Sequence, residues 1–181
     1  MGAKTLLTLE EFLALPDDGN KYEVVRGELL VSPGPRPAHE YIKRVIAERL
    51  IAFCATIETL HVFVESTFVD DDSETRPDIV VRASVLPPPE KWDDMPRPAL
   101  VVEILSKATR RNDEVKKRRF YIESGIPEYW IVDGETRSVR VVTSAVDRRE
   151  SGTLRWMPAG ASAALEIDLR RLFDAAIGPP M

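Results

Sequence analysis

A single cysteine, Cys54, is all the chain has, so it can form no internal disulfide and no multi-cysteine zinc site. Cys54 falls within the helical pattern "AERLIAFC" and reads as a small buried residue rather than a nucleophile. Nowhere do the 181 residues approach the roughly 18 uninterrupted apolar positions that a membrane span needs. The opening stretch "MGAKTLLTLEEFL" contains acids and shows no signal-peptide cleavage pattern. Gly2 follows Met1, but Leu6 stands where N-myristoylation needs Ser or Thr. Internal repeats and a second-domain boundary are also missing. The hydrophobic fraction of 44% and the charged fraction of 30% are those of a soluble globular protein. One domain over residues 1–181, large enough to bury a proper core and located in the cytoplasm, is expected.

Positive charge is not in excess. A net charge of −5 argues against coating nucleic acid by bulk electrostatics, though it leaves room for a local basic patch. The one such patch is "SKATRRNDEVKKRR", Ser106 to Arg119, with seven Lys and Arg against two acids. It is either a solvated helix face or a surface for phosphates.

Along the chain, Thr8 and Glu11 form a capping-box pattern, so a short helix is expected to end before Pro16. "KYEVVRGELLV" reads as a hairpin around Arg26-Gly27. A two-residue turn pairs Val25 with Glu28 and Glu23 with Leu30. Tyr22, Val24, Leu29 and Val31 then share the apolar face, and Glu23 and Glu28 the other, either in solvent or on the rim of a site. "AHEYIKRVIAERLIAFC" is the clearest helix, with Ile42, Val45, Ile46, Leu50 and Phe53 in one stripe. His39 lies one turn before Ile42, as a packed residue, a cap or a site residue. "HVFVESTFV" reads as one strand and "DDDSET" as a solvated acidic turn, since the spacing and glycine of a calcium loop are missing. "RPDIVVR" and "ALVVEILS" are strands separated by the proline-rich loop "PPPEKWDDMPRP". "RRNDEVKKRRFYIESG" reads as a helix stopped by Gly125. "PEYWIVD" and "RSVRVVT" look like a second hairpin, and "GTLRWMP" and "ALEIDLRRLF" like edge strands and a final helix. Strands flanking two substantial helices give an α/β arrangement with a mixed sheet.

Two of these core-type strands each carry one acid, Asp78 in "TRPDIVV" and Glu103 in "ALVVEILS". Buried carboxylates are costly unless they are paired, hydrogen-bonded or metal-bound. On adjacent strands the two can point to one spot, where their repulsion is relieved by a hard divalent cation. Mg²⁺ takes one or two carboxylates, keeps several waters and accepts phosphate oxygens, so metal-assisted phosphodiester hydrolysis is the natural chemistry of such a pair. Asp113, Lys117 and Tyr121 fall on one helix face. Lys117 would stabilise the transition state if that face turns to the strand ends. Otherwise Asp113 and Lys117 form a surface pair and Tyr121 packs on the sheet.

"RPDIVV", "LVVEILS", the helix bearing Asp113, Lys117 and Tyr121, and "GIPEYWIVD", in that order, resemble a large bacterial family of restriction-endonuclease-like proteins. It is the Uma type, within the PD-(D/E)XK nuclease superfamily. The resemblance runs from "YEVVRGELLV" to "LRRLF". It implies a restriction-endonuclease-like fold: a mixed central sheet flanked by helices, with the N-terminal hairpin before it. It also implies Mg²⁺, with Mn²⁺ as a substitute, bound by Asp78 and Glu103, and Lys117 as a catalytic lysine moved onto the following helix. The usual triplet would place lysine two residues after Glu103, where this chain has Leu105. Lys107 is a second candidate on the same strand face, at a place where the subfamily more often has proline. Glu28, His39 and Tyr121 are accessory candidates.

The expected activity is DNA endonucleolysis, by a homodimer if both strands are cut. Arg110, Arg111, Lys116 and Arg118 would follow the phosphate backbone, which positions DNA without reading its sequence, and Trp92 could act as an aromatic wedge or simply pack. A non-catalytic binding module on the same fold, and a metal-dependent hydrolase of RNA or nucleotides, are the other readings. No base-reading motif is present.

Overall fold

The computed structural model describes Glu11, Leu15, Pro16 and residues 18–180. The helix expected from Thr8 to before Pro16 falls, save for Glu11 and Leu15, outside them. Chain order first gives a hairpin of β1 (Lys21–Val25) and β2 (Glu28–Ser32). Arg26 and Gly27 both take positive φ, 53° and 70°, as the tight turn between twisted strands demands. The register is the expected one, Val25 opposite Glu28 and Glu23 opposite Leu30, but the inward face is not. Val25 and Leu30 pack with Phe68, Phe120 and Tyr121, and this draws Glu23 inside while Val31 stays exposed.

Pro37 opens α1 (Pro37–Cys54), its missing N–H costing nothing in a first turn. The stripe of Ile42, Val45, Ile46 and Leu50 is buried as expected, and so is Cys54. The run "HVFVESTFV" is not one strand. Glu65 adopts a φ of 54° and splits it into β3 (Leu60–Val64) and β4 (Phe68–Asp70), which belong to different sheets. β4 turns through Asp71 into β5 (Ser73–Thr75), and the order β2-β1-β5-β4 makes a four-stranded sheet.

The central sheet has six strands in the order β10-β9-β8-β7-β6-β3. Its further members are β6 (Ile79–Ala83), β7 (Leu100–Ile104), β8 (Tyr129–Asp133), β9 (Ser138–Val142) and β10 (Asp147–Glu150). β7 and β8 run parallel and the other pairs antiparallel, so the sheet is mixed. The parallel step needs a crossover. It is supplied by α2, a π-helical turn over Asn112–Lys117 continued by α-helix over Arg118–Glu123, and stopped at Gly125 with φ 72°. β7 and β8 are buried along their whole length, as expected of strands covered on both faces. Ile79, Val81, Leu100, Val102, Trp130 and Val132 face α1 and α3 (Leu169–Ile177), while Val101, Tyr129 and Ile131 face α2 and the hairpin. β11 (Thr153–Trp156) and β12 (Leu165–Asp168) pair separately and feed α3, whose first turn is capped by Asp168. Among the described residues no helix is long and apolar enough to cross a membrane.

In the proline-rich loop, Trp92 lies edge-on to Phe63, and the Arg82 guanidinium sits 5.8 Å from the Trp92 and the Phe68 ring centres. Arg82 also donates to the carbonyls of Pro96 and Thr67. Trp92 thus packs against Phe63 and the buried Arg82 while staying 41% exposed.

One contact tests how closely α1 rides over the sheet. A Cβ on Gly134, in the β8–β9 turn, would lie 2.7 Å from Ile42 Cδ1. Gly134→Ala is expected to destabilise by about 1–3 kcal/mol. Adding Ile42→Val, which removes that methyl, should recover part of the loss in chemical denaturation. A non-interacting pair would contradict the packing.

Candidate active site

The register of β6 and β7 pairs Ile79 with Val102. Asp78 therefore precedes β6 beside Glu103 of β7. Strand alternation turns both away from α1, toward α2 and the hairpin. Asp78 is 5% exposed and Glu103 2%. The Ile104 N–H donates to Asp78 Oδ2 at 2.8 Å, tying the two strand ends together.

α2 closes over this spot. Its π turn sets Asp113 and Lys117 on one buried face; such turns inside helices recur at functional sites. Lys117 Nζ lies 2.9 Å from Glu103 Oε1, 2.7 Å from Glu23 Oε2 and 3.4 Å from Asp113 Oδ1. Tyr121 donates its hydroxyl to the same Glu103 oxygen at 3.1 Å. β1 contributes Glu23, whose Oε1 accepts from the Arg76 N–H at 2.8 Å. It also contributes Lys21, 3.9 Å from both Asp78 Oδ1 and Glu23 Oε1. From α1, His39 brings Nε2 to 3.2 Å from Asp78 Oδ2. The group opens into a cleft of about 600 Å³ lined by residues of the hairpin, α1, β7 and α2, with Glu65, Arg76 and Asp78 among them.

Four buried carboxylates thus meet two lysines and a histidine, and their environments split them. Burial raises Asp78, but the His39 hydrogen bond, Lys21 and the Ile104 N–H outweigh it and hold the carboxyl well below the usual range. Burial likewise works against the charge on Glu23, and Lys117 and Lys21 overcome it. For Glu103 burial wins over Lys117, with Asp78 and Asp113 adding repulsion, and its pKa is pushed up to about 8. Asp113 is also raised, by burial against the pull of Lys117. His39 is raised because Asp78 outweighs burial, and Lys117 is driven well upward because its carboxylates outweigh burial. One ionised and one proton-holding carboxyl side by side is the division of labour seen where acid and base roles are separated.

Asp78, Glu103, Lys117, His39 and Tyr121 are all brought together. Glu28 is not: it pairs with Lys116 at 2.7 Å on the outer side. Arg110 is held by Asp133 at 2.9 Å and Glu135 at 3.2 Å, Arg118 pairs with Asp147, and Arg111 is exposed. Lys107 reaches the cleft rim, highly exposed, with its ammonium 3.9 Å from Glu135. Glu23 and Lys21 are members that the motifs did not single out. Their signal was alternation along β1 with Val25, once the inward face is known.

Among the described residues no three His, Cys, Asp or Glu side chains converge into a ready-made metal cage. The donor set nevertheless fits Mg²⁺, which asks for one or two carboxylates and keeps its waters. Glu103, raised by burial with Asp78 and Asp113 adding repulsion, is the group whose charge a divalent cation would restore.

The sequence matches, over residues 9–170, the family model described as "Uma2: Putative restriction endonuclease". No curated protein matches it. Among solved structures it is similar to one described as a putative nuclease belonging to DUF820, from Anabaena variabilis. That match has a TM-score of 0.76 and 23% identity, over 94% of this chain and 99% of that one. At that identity the likeness shows the fold alone, a central mixed sheet with flanking helices.

Two stability measurements check the electrostatics. Lys117→Met leaves three buried carboxylates short of their shared cation and is expected to cost about 3–5 kcal/mol. A change within experimental error in urea unfolding would refute that sharing. In the presence of chelator, the folded state holds a proton on Glu103 that the unfolded chain has lost, from about pH 4.5 to about pH 8. Stability therefore falls as pH rises through that window, and His39, raised above 6.5, adds a loss of the same sign in its upper part. Asp78 acts only at acid pH. Glu103→Gln should show a shallower fall in melting temperature from pH 5 to pH 8 than wild type; parallel curves would contradict the raised value.

Proposed function

This chain belongs to the Uma2 family, and from that premise we propose that it is a Mg²⁺-dependent endonuclease that hydrolyses DNA phosphodiester bonds. The observation that carries this reading is the side-by-side placement of two buried carboxylates, Asp78 and Glu103, at paired strand ends under an open cleft. Asp78 and Glu103 would hold Mg²⁺, with Mn²⁺ as substitute. The ion, when bound, would supply charge neutralisation at the phosphate and a more acidic water.

The chain's own groups do the rest. The Ile104 N–H and His39 fix the Asp78 carboxylate, and Tyr121 and Lys117 fix Glu103 from the other side. Lys117 holds Glu23 and Glu103 at one place. In the reaction a water oxygen bonds to phosphorus and one P–O ester bond breaks. The leaving oxygen takes up a proton, so one water is consumed and a phosphomonoester and a hydroxyl result. A homodimer would bring two such sites to the two strands of a duplex. Of the four cations expected to contact the backbone, Arg111 is the exposed one, with Arg110, Lys116 and Arg118 available to DNA by exchanging their internal acids.

Cleavage of plasmid, single-stranded DNA and RNA in Mg²⁺ or Mn²⁺ tests the proposal, with wild type and Asp78→Asn purified identically. Asn is preferred to Ala because it leaves an acceptor for the buried Ile104 N–H. The variant is expected to lose at least about 100-fold in rate with its fold intact. RNA cleavage alone would redirect the substrate. No metal-dependent cleavage by wild type on any of the three would leave a binding module as the function of this fold.

A further inference from the structure

Within that hydrolytic reading, we infer that Lys21, rather than Lys117, is the cation that touches the substrate phosphate. The two lysines stand at the same centre but differ in what they are free to do. An ammonium offers three donors. Lys117 donates to Glu103 Oε1 at 2.9 Å, its ammonium also lies 2.7 Å from Glu23 Oε2 and 3.4 Å from Asp113 Oδ1, and it is 2% exposed. To reach a phosphate it would have to leave at least one buried carboxylate uncompensated, which is the expensive way to break an enclosed ion pair.

Lys21 is placed differently. It sits two residues before Glu23 on β1, so its side chain leaves the strand on the same inward face. Its ammonium is 3.9 Å from Asp78 Oδ1 and 3.9 Å from Glu23 Oε1. That distance is close enough for attraction and too long for a hydrogen bond. Among the described residues its ammonium donates to no acceptor. The side chain is 27% exposed and lines the cleft together with Asp78 and Glu103. A compact point charge with its protons uncommitted, beside the acid that would hold the metal, is suited to a non-bridging phosphate oxygen. Arg36 and Arg76 line the same cleft and are exposed; they continue the positive lip along which the rest of a phosphodiester strand would lie. Lys117 then becomes a positioning residue, acting through Glu103 and Glu23.

The experiment uses the full chain and two readouts that do not need turnover. A fluorescent single-stranded phosphorothioate oligonucleotide is titrated by anisotropy, in Ca²⁺ and again in chelator, and Mn²⁺ is titrated by calorimetry. Lys21→Met, which keeps the aliphatic stem, is expected to weaken oligonucleotide binding roughly tenfold or more. Lys21→Arg should recover much of it. Mn²⁺ affinity in Lys21→Met should be equal to wild type or tighter, since a cation near Asp78 is gone. Oligonucleotide affinity equal to wild type in Lys21→Met, or no binding by wild type in either condition, would overturn the assignment. Failure of the metal-dependent reading shows separately, as absence of Mn²⁺ binding in wild type, while the chelator titration still reports on Lys21.

Discussion

A single ammonium joins three parts of the chain that are far apart in sequence. Lys117 meets Glu23 from the hairpin, Glu103 from the central sheet and Asp113 from its own helix. Each acid would be unstable in that interior alone; together they require a cation at that one point. The orientation of the hairpin over the sheet, and of α2 over both, follows from satisfying that requirement while Val25, Leu30, Phe120 and Tyr121 close an apolar layer around it. The centre is therefore structural and chemical at once. The same burial that makes Lys117 indispensable to the fold withdraws it from solvent, leaving the more open side of the cluster to Asp78, His39 and Lys21.

The chemistry-bearing part of this arrangement was legible because it breaks a pattern. An acid inside an apolar β-run is conspicuous, so Asp78 and Glu103 could be read directly, and helical spacing put Lys117 and Tyr121 together. Glu23 was harder. The hairpin register followed from its turn, but choosing the buried face required knowing that Phe68, Phe120 and Tyr121 lie beneath it, and contacts of that range leave no local trace. The split of "HVFVESTFV" was hidden for a similar reason: Glu65 with positive φ looks like any acid in a mixed run. Its meaning comes from the second sheet that β4 joins.

The basic helix teaches a complementary lesson. Seven cations in a short stretch look like a surface for phosphate when only the stretch is read. In three dimensions Arg110, Lys116 and Arg118 meet Asp133, Glu28 and Asp147, all distant in sequence. Exposed pairs of that sort contribute little to stability, but they lower the field the helix projects. The overall acidity of the chain is thus expressed locally, as carboxylates that accompany the basic segment.

The π turn at Asn112–Lys117 has a bearing on how such proteins are compared. A π turn accommodates about one residue more than the α turn it replaces, so it behaves as an insertion held within a helix rather than in a loop. A homologue with a regular helix here would be a residue shorter, and a sequence alignment would tend to push the gap into the loop before the helix. That displacement would slide Asp113 against the wrong partner while leaving Tyr121 matched.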